Sequence, residues 1–198
     1  PNVLDQARKL DQEAIDQESH SLYGMPILLK DNIDALPMAT TAGAAAMANN
    51  YPKKSAFIVE QLRSKGALIL GKVNMSEWAY YFCQGCPVGY SAMGGQTLNP
   101  YGRKIIDTGG SSSGSGVATA SNLSSVSLGS ETSGSILSPS SANSLVGMKP
   151  TIGNISRSGI VPISSTLDTA GPMTKNIIDN IIVYNAINGY DSQDSYSK

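Results

Sequence analysis

The chain contains Gly109-Gly110-Ser111-Ser112-Ser113-Gly114-Ser115-Gly116 and, after a short apolar segment, Gly129-Ser130-Glu131-Thr132-Ser133-Gly134-Ser135-Ile136. Ser111 and Ser135 lie 135 − 111 = 24 residues apart. Runs of small residues are typical of flexible linkers, but a linker does not alternate with apolar segments such as Val126-Ser127-Leu128. The two turns therefore predict a site that brings backbone N–H groups and a hydroxyl to one point, as acyl transfer requires.

The chain has a single histidine, His20, and this limits the acyl-transfer chemistry. Gly110-Ser111-Ser112-Ser113-Gly114 matches the G-x-S-x-G nucleophile elbow, but that elbow needs a histidine later in the chain and none follows. The S-x-x-K pattern occurs once, from Ser195 to Lys198, which argues against a site of the penicillin-binding or β-lactamase type. A serine nucleophile therefore needs another base, and lysine is the natural candidate.

Lys30 follows the apolar run Met25-Pro26-Ile27-Leu28-Leu29, which predicts a buried strand. A lysine at the end of a buried strand can lose its hydration, which lowers its pKa and lets the neutral amine act as a base. The pKa must then fall by about three pH units from its usual value near 10.4, at a cost of roughly 4 kcal/mol. The alternative is that Lys30 reaches water and pairs with Asp31 or Asp34.

Strand and helix patterns alternate along the chain. The predicted helices lie near residues 3–16, 57–66, 114–123 and 177–184, and the predicted strands near 25–30, 67–70 and 125–128. Ser55 and Thr174 are the predicted N-caps of the second and last helices. Because strands and helices alternate, the sequence predicts an α/β fold whose sheet is packed on both faces by helices.

These residues resemble the amidase signature enzymes, which are serine amidohydrolases with a Ser–cis-Ser–Lys triad. Residues 24–32 are similar to the family's lysine segment, 109–115 to its cis-serine turn and 129–136 to its nucleophile turn. The interval between the two serines also matches, and the resemblance extends over residues 23–190. It implies the amidase signature fold, with a mixed central β-sheet covered by helices on both faces, and no metal or organic cofactor.

The resemblance also implies roles by position. Ser135 would be the nucleophile, Ser111 the bridging serine that follows a cis peptide bond, and Lys30 the terminal base. Three successive backbone N–H groups would form the oxyanion hole, those of Thr132, Ser133 and Gly134. The neutral amine would accept the nucleophile's proton through the bridging serine, ammonia would leave from the attacked amide, and water would then release the acid.

Finer similarities, among them Ser76-Glu77-Trp78-Ala79 and Asp168-Thr169-Ala170-Gly171-Pro172-Met173, indicate the peptide amidase branch, whose members hydrolyse terminal carboxamides. Many relatives, including A-type subunits of glutamine-dependent amidotransferases, carry aspartate, glycine and arginine where this chain has Glu131, Ser133 and Leu137. These differences argue against the amidotransferase component, which stays an alternative, and they leave the triad unchanged. A peptide C-terminal amide, a small aliphatic amide and an aryl amide all stay open as substrates.

Length and charge limit the class of protein. A chain of 198 residues with 40% hydrophobic residues predicts one domain, or at most two, with a buried core. A net charge of −1 provides no basic surface of the kind that binds nucleic acid. No apolar run approaches the ~20 residues of a membrane span, and no signal-peptide pattern is present. We therefore expect a cytoplasmic protein whose partner is an amide substrate, with no nucleic-acid or membrane partner.

Three expectations concern the rest of the chain. Because enzymes of the resembled family are usually more than twice as long, residues 1–198 are expected to be an N-terminal fragment of the amidase signature catalytic core, inactive when isolated. A non-catalytic or truncated amidase-like scaffold stays an alternative. A phosphate-binding module is disfavoured because the chain lacks the G-x-x-x-x-G-K-[ST] motif.

Cys83 and Cys86 are predicted to be ordinary thiols rather than a redox pair or half of a zinc site.

Overall fold

A computed structural model of the chain describes residues 2–13, 20–82 and 85–198. The strands are β1 (Pro26–Lys30), β2 (Leu68–Val73), β3 (Tyr90–Ser91), β4 (Gly95–Gln96), β5 (Val126–Glu131), β6 (Val146–Gly147) and β7 (Thr169–Thr174). The α-helices are α1 (Val3–Leu10), α2 (Phe57–Ser64), α3 (Ser113–Ala120), α4 (Leu137–Ala142) and α5 (Ile177–Ile187). Two short 3-10 helices cover Ala45–Met47 and Glu77–Tyr80.

The centre of the fold is a five-stranded mixed sheet with the strand order β2-β1-β5-β7-β6. Strand β1 is parallel to both of its neighbours, whereas β7 is antiparallel to β5 and β6. The carboxyl ends of β1 and β5 therefore meet the first residues of β7 at one edge of the sheet, where Glu131 lies opposite Thr169. Lys30 ends β1 at the same edge. The topology of the sheet thus places the ends of β1 and β5 and the start of β7 next to one another.

Apolar side chains of the strands and of two helices form the core. Ile27 and Leu29 of β1 and Val126 and Leu128 of β5 are fully buried, as expected for central strands of a sheet that is covered by helices. The core also contains residues of α2 and α5, namely Ile58, Val59, Leu62, Val183, Ala186 and Ile187. Helix α3 packs on β1, β2, β5 and β7. The predicted α/β class and mixed sheet with flanking helices are thus confirmed.

Both predicted N-caps are wrong. Ser55 Oγ accepts hydrogen bonds from the Leu36 amide at 3.1 Å and from Arg63 Nη1 at 2.8 Å, so it holds a loop rather than capping α2. Thr174 is the last residue of β7, and the cap of α5 is Asn176, whose Oδ1 accepts from the Asp179 amide at 2.9 Å. Proximity to the helix start in sequence does not decide which side chain reaches the free amides of the first turn.

Other boundaries also differ from the predictions. The first helix ends at Leu10, and residues 14–16 of its predicted range lie outside the described residues. The predicted long loop over 83–108 contains the antiparallel pair β3 and β4. Cys86 is bonded in a disulfide, so the prediction of an ordinary thiol is wrong for this residue, since the C-x-x-C spacing also suits a disulfide. Cys83 lies outside the described residues.

No helix in the described parts of the chain combines the length and the apolar character needed to cross a membrane.

Candidate active site

Lys30 is the last residue of β1 and only 1% exposed. Its Nζ donates to Ser111 Oγ at 2.7 Å, and to Oγ and the carbonyl oxygen of Ser130 at 3.0 Å each. Burial withdraws water from the amine and lowers the pKa of Lys30 from 10.5 to about 7, although the negative charges of Glu131 and Asp168 act in the opposite direction. A large fraction of this amine is therefore neutral near pH 7.

The alternative pairing of Lys30 with a neighbouring aspartate is not what the structure contains. Asp31 Oδ1 instead lies 3.3 Å from Nζ of Lys72, a residue of β2. Within residues 2–13, 20–82 and 85–198, Lys30 forms no ion pair with any carboxylate. The side chain of Lys30 therefore points into a cluster of hydroxyl and carbonyl oxygens, all of which accept hydrogen bonds from the amine. When the amine is neutral, only the hydroxyls of Ser111 and Ser130 can donate a proton to it.

The first glycine- and serine-rich turn presents Ser111 to that amine. The peptide bond between Gly110 and Ser111 is cis, as the resemblance implies, and Ser111 is fully buried. Gly110 leaves no room for a side chain, since a Cβ there would lie against Tyr80 Oη and Ser76 Oγ. Helix α3 begins at Ser113, within this glycine- and serine-rich segment. The small residues of this segment are therefore required by close packing and are not those of a linker.

The second turn is hydrogen-bonded to the first. Ser135 is half-buried, and its carbonyl oxygen accepts from the Ser112 amide at 3.1 Å. The carboxylate of Glu131, 4% exposed, folds back over the turn and accepts from three amides, those of Gly134 at 2.8 Å, Ile136 at 2.7 Å and Leu137 at 2.9 Å. These contacts fix the segment between β5 and α4, and they bring the two predicted serine turns together.

The three N–H groups predicted for the oxyanion hole are not equivalent. The Gly134 amide is already engaged by Glu131, because a buried carboxylate must be satisfied by donors. Among the described residues, the amides of Thr132 and Ser133 have no protein acceptor. The hydroxyl of Thr132 donates to Asp168 Oδ1 at 2.5 Å, which orients this part of the turn. Two adjacent amides are therefore available to an anion here, and the third is not.

Sequence reasoning missed four polar residues around the amine. Asn32 Nδ2 donates to Ser130 Oγ at 2.8 Å. Asp168 accepts from the amides of Ile163 and Ser164 at 2.7 and 2.8 Å, in addition to the Thr132 hydroxyl. Glu131 is the third of these residues and Ser130 the fourth. A usable signal existed, since Glu131 and Asp168 are isolated acids in segments of otherwise small or apolar residues.

Residues of the second turn line two cavities. One, of about 320 Å³, is lined by polar side chains that include Asn32, Ser130, Thr132 and Asp168. The other, of about 370 Å³, is lined by Gly110, Ser133 and Gly134 among others. Among the described residues, no group of three or more His, Cys, Asp or Glu side chains is arranged to hold a metal ion.

The chain is similar to known proteins over its whole length. The model of the Amidase family matches residues 1–198, the whole chain. The chain belongs to the amidase family. Its fold agrees with this assignment over its full length, because solved structures of amidases superimpose on all of it.

Three relatives illustrate the range of similarity. An amidase family protein from Bacillus anthracis is 45% identical with a TM-score of 0.96, and the match covers 100% of this chain and 39% of that one. Native peptide amidase from Stenotrophomonas maltophilia is 48% identical with a TM-score of 0.95, covering 100% and 40%. The A-type subunit of glutamyl-tRNA(Gln) amidotransferase from Staphylococcus aureus (strain MRSA252) is 39% identical over 99% of this chain and 39% of its own length. The chain spans between 34% and 39% of the length of the curated relatives it matches.

Proposed function

We propose that the protein is a serine amidohydrolase that hydrolyses a carboxamide, either a peptide C-terminal amide or a small amide, to the acid and ammonia. In this proposal residues 1–198 contribute the triad, with Ser135 as nucleophile, Ser111 as bridging serine and Lys30 as base. The observation that best supports the proposal is the 2.7 Å hydrogen bond between Lys30 Nζ and Ser111 Oγ. The pKa of the Lys30 amine is lowered to about 7.

In the first step the neutral amine of Lys30 acts as the base. Lys30 accepts the proton of Ser111 along their hydrogen bond while Ser111 accepts that of Ser135, and the Ser135 oxygen attacks the amide carbonyl carbon. The carbon–nitrogen bond then breaks, and the proton held by Lys30 returns through Ser111 to the departing nitrogen, so that ammonia leaves. Water attacks the resulting ester with the same relay acting as base, and the acid is released from Ser135.

Negative charge on the carbonyl oxygen is stabilised by the backbone of the second turn. The amides of Thr132 and Ser133 are the two donors of the predicted set that are uncommitted in the described residues. A donor that is fixed before the reaction needs no reorganisation when the charge develops, which is why its loss typically costs about 10²–10³ in kcat. The Gly134 amide can serve as a third donor only after it gives up its 2.8 Å hydrogen bond to Glu131 Oε1.

One similarity favours a second candidate. The 39% identity to an A-type amidotransferase component supports a protein that releases ammonia from glutamine for a partner enzyme. The two candidates differ in substrate, so glutaminase activity measured beside hydrolysis of peptide amides separates them. We favour the amidohydrolase because the identity to peptide amidase is higher, at 48%. A cytoplasmic location stays a prediction.

The proposal is tested by ammonia release from the full-length protein. N-acetylated amino-acid amides serve as substrates, and an enzyme-coupled assay measures ammonia. We expect hydrolysis by the natural protein and a loss of at least about 10³-fold in kcat for Ser135→Ala, because nucleophilic catalysis disappears. Unchanged activity of Ser135→Ala would overturn the assignment of the nucleophile, and a protein that hydrolyses none of the amides would support the scaffold alternative.

A further inference from the structure

A third cavity, of about 260 Å³, adjoins the polar cavity beside the second turn. The two share Asn32, Val161, Pro162 and Ile163 as lining residues, so they are neighbouring compartments of one groove. The third cavity differs in chemistry, because its remaining walls include Met75, Trp78, Tyr81 and Phe82. None of its lining residues in the described part of the chain carries a charge.

The aromatic wall of this cavity is unusually exposed. Tyr81 and Phe82 are 68% and 72% exposed, although both belong to residue types that proteins normally bury in part. Phe82 makes edge-to-face contacts with both other rings, with ring centroids 5.6 Å from Trp78 and 5.0 Å from Tyr81. The three rings therefore form a preassembled apolar surface, of which Tyr81 and Phe82 face solvent in the described chain.

The backbone that carries these rings is held in a costly conformation. Trp78, Ala79 and Tyr80 have φ values of 49°, 52° and 69°, in the left-handed region that L-residues avoid. Two contacts hold the segment in place: the Trp78 amide donates to the Ala42 carbonyl at 2.9 Å, and Tyr80 Oη accepts from the Gly89 amide at 3.2 Å. Strain of this kind persists where surrounding contacts enforce it, and it is concentrated at ligand-binding segments.

Asn32 is a polar residue that lines both cavities. Asn32 is 4% exposed, and its Oδ1 accepts no hydrogen bond within the described residues. Its Nδ2 is fixed by Ser130 Oγ, so the oxygen is oriented by a residue that also contacts Lys30. A buried acceptor without a donor costs free energy unless a ligand supplies one. A substrate with an N–H next to an apolar group satisfies both features at once.

We propose that this cavity, which we call the aromatic subsite, binds a large apolar side chain on the acyl part of the substrate, and that Asn32 Oδ1 accepts an N–H of the same acyl group. The proposal rests on the proposed amidohydrolase function. When a primary carboxamide is hydrolysed the departing group is ammonia, so all side-chain selectivity must come from the acyl part. A cavity of about 150 Å³ suffices for benzene, so the aromatic subsite has room for a benzyl group. The substrate class is thus an N-acylated amide of phenylalanine, leucine or a similar residue.

The test compares three substrates on the full-length protein: N-acetyl-L-phenylalaninamide, N-acetylglycinamide and N-acetyl-L-lysinamide. We expect kcat/KM for the phenylalanine amide to exceed that for the glycine amide by about 10²-fold, and the lysine amide to be no better than glycine. Phe82→Ala should reduce the phenylalanine-to-glycine ratio by about 10-fold, and Phe82→Leu should largely preserve it. Tyr101→Ala serves as the matched control, because Tyr101 is 60% exposed and lines neither cavity.

Two binding measurements test the aromatic subsite independently of catalysis. Calorimetric binding of the same amides to Ser135→Ala should follow the same order, even if the natural protein hydrolyses none of them. The depsi-analogue of N-acetyl-L-phenylalaninamide, with oxygen in place of the acetylated N–H, should bind at least about 10-fold more weakly because Asn32 Oδ1 is then left without a donor. Equal binding of phenylalanine and glycine amides, or a ratio unaffected by Phe82→Ala, would overturn the subsite. Equal binding of the depsi-analogue would overturn the role of Asn32.

Discussion

Lys30 and Lys72 lie on adjacent parallel strands, and both are largely withdrawn from water, yet their surroundings differ. Lys72 Nζ lies 3.3 Å from Asp31 Oδ1 and donates to Thr40 Oγ1 at 3.1 Å, so its charge has a direct counter-ion. Lys30 Nζ has only hydroxyl and carbonyl oxygens of Ser111 and Ser130 within hydrogen-bond distance among the described residues. Burial lowers the pKa of both, but only for Lys72 does a hydrogen-bonded carboxylate oppose it.

The comparison separates a structural lysine from a lysine suited to be a base. A carboxylate partner favours the protonated form of a buried amine, because the ion pair replaces part of the lost hydration. A buried amine among neutral oxygens loses its proton near pH 7 and can accept another. Lys30 therefore differs from Lys72 in having no hydrogen-bonded carboxylate among the described residues. Asp31, which is adjacent to Lys30 in sequence, forms its ion pair with Lys72 instead.

The largest effect is expected from exchanging Lys30. Lys30→Ala should lower kcat for amide hydrolysis by at least about 10²-fold, since it removes the proposed general base. Lys72→Met is the matched control on the neighbouring strand, and it should change kcat by less than about 10-fold in protein that is still folded. His20→Ala should have almost no effect. Steady-state kinetics with N-acetylated amides would measure all three, and a large effect at His20 with none at Lys30 would contradict the mechanism.

The next effect concerns stability rather than activity. Asp31→Asn should lower the free energy of unfolding by about 3 kcal/mol, because it leaves the largely buried Lys72 ammonium without its counter-ion. The double variant Asp31→Asn/Lys72→Met should be less destabilised than the sum of its single variants, since no unpaired charge is left. Urea unfolding followed by circular dichroism provides the four values of this cycle. Simple additivity would show that the two side chains do not interact.

The smallest expected effect is a shift in pH dependence. Because the base must be neutral, kcat/KM should rise with pH through the Lys30 pKa of about 7, and activity should be lost as the pH falls below it. The charge of Asp168 raises the pKa of Lys30, so Asp168→Asn should move this acid limb to lower pH. The pH profiles of kcat/KM for the two proteins give the comparison. A limb that stays in place or moves upward would show that another group controls it.

The parts of the site that the sequence could predict are those written into short contiguous segments. Lys30 stands at the end of an apolar run, and Ser111 and Ser135 stand in glycine- and serine-rich turns, so each is visible without knowledge of the fold. Strand β7 was not predicted, because Gly171 and Pro172 are typical of turns. Pro172 is tolerated opposite Leu128 in a strand whose other neighbour, β6, is only two residues long.

The parts that could not be predicted depend on contacts between distant segments. Asp168 acts on the second turn through a hydrogen bond to Thr132, 36 residues earlier in the chain. Asn32, which follows β1, contacts Ser130 on the neighbouring strand β5, and the counter-ion of Asp31 lies on the other neighbour, β2. The left-handed backbone at Trp78 and its neighbours is likewise enforced from outside, by contacts with Ala42 and Gly89. Local pattern rules contain none of this information.

The most direct test of the central claim is covalent labelling of the nucleophile. The full-length protein is treated with a fluorophosphonate probe, digested, and mapped by mass spectrometry, with Lys30→Ala and Lys72→Met treated in parallel. We predict a label on Ser135 in the natural protein and in Lys72→Met, and a strongly reduced rate of labelling in Lys30→Ala, because in the proposed mechanism Lys30 activates the hydroxyl through Ser111. Labelling of Ser112 instead, or labelling of Ser135 at the same rate without Lys30, would contradict the account.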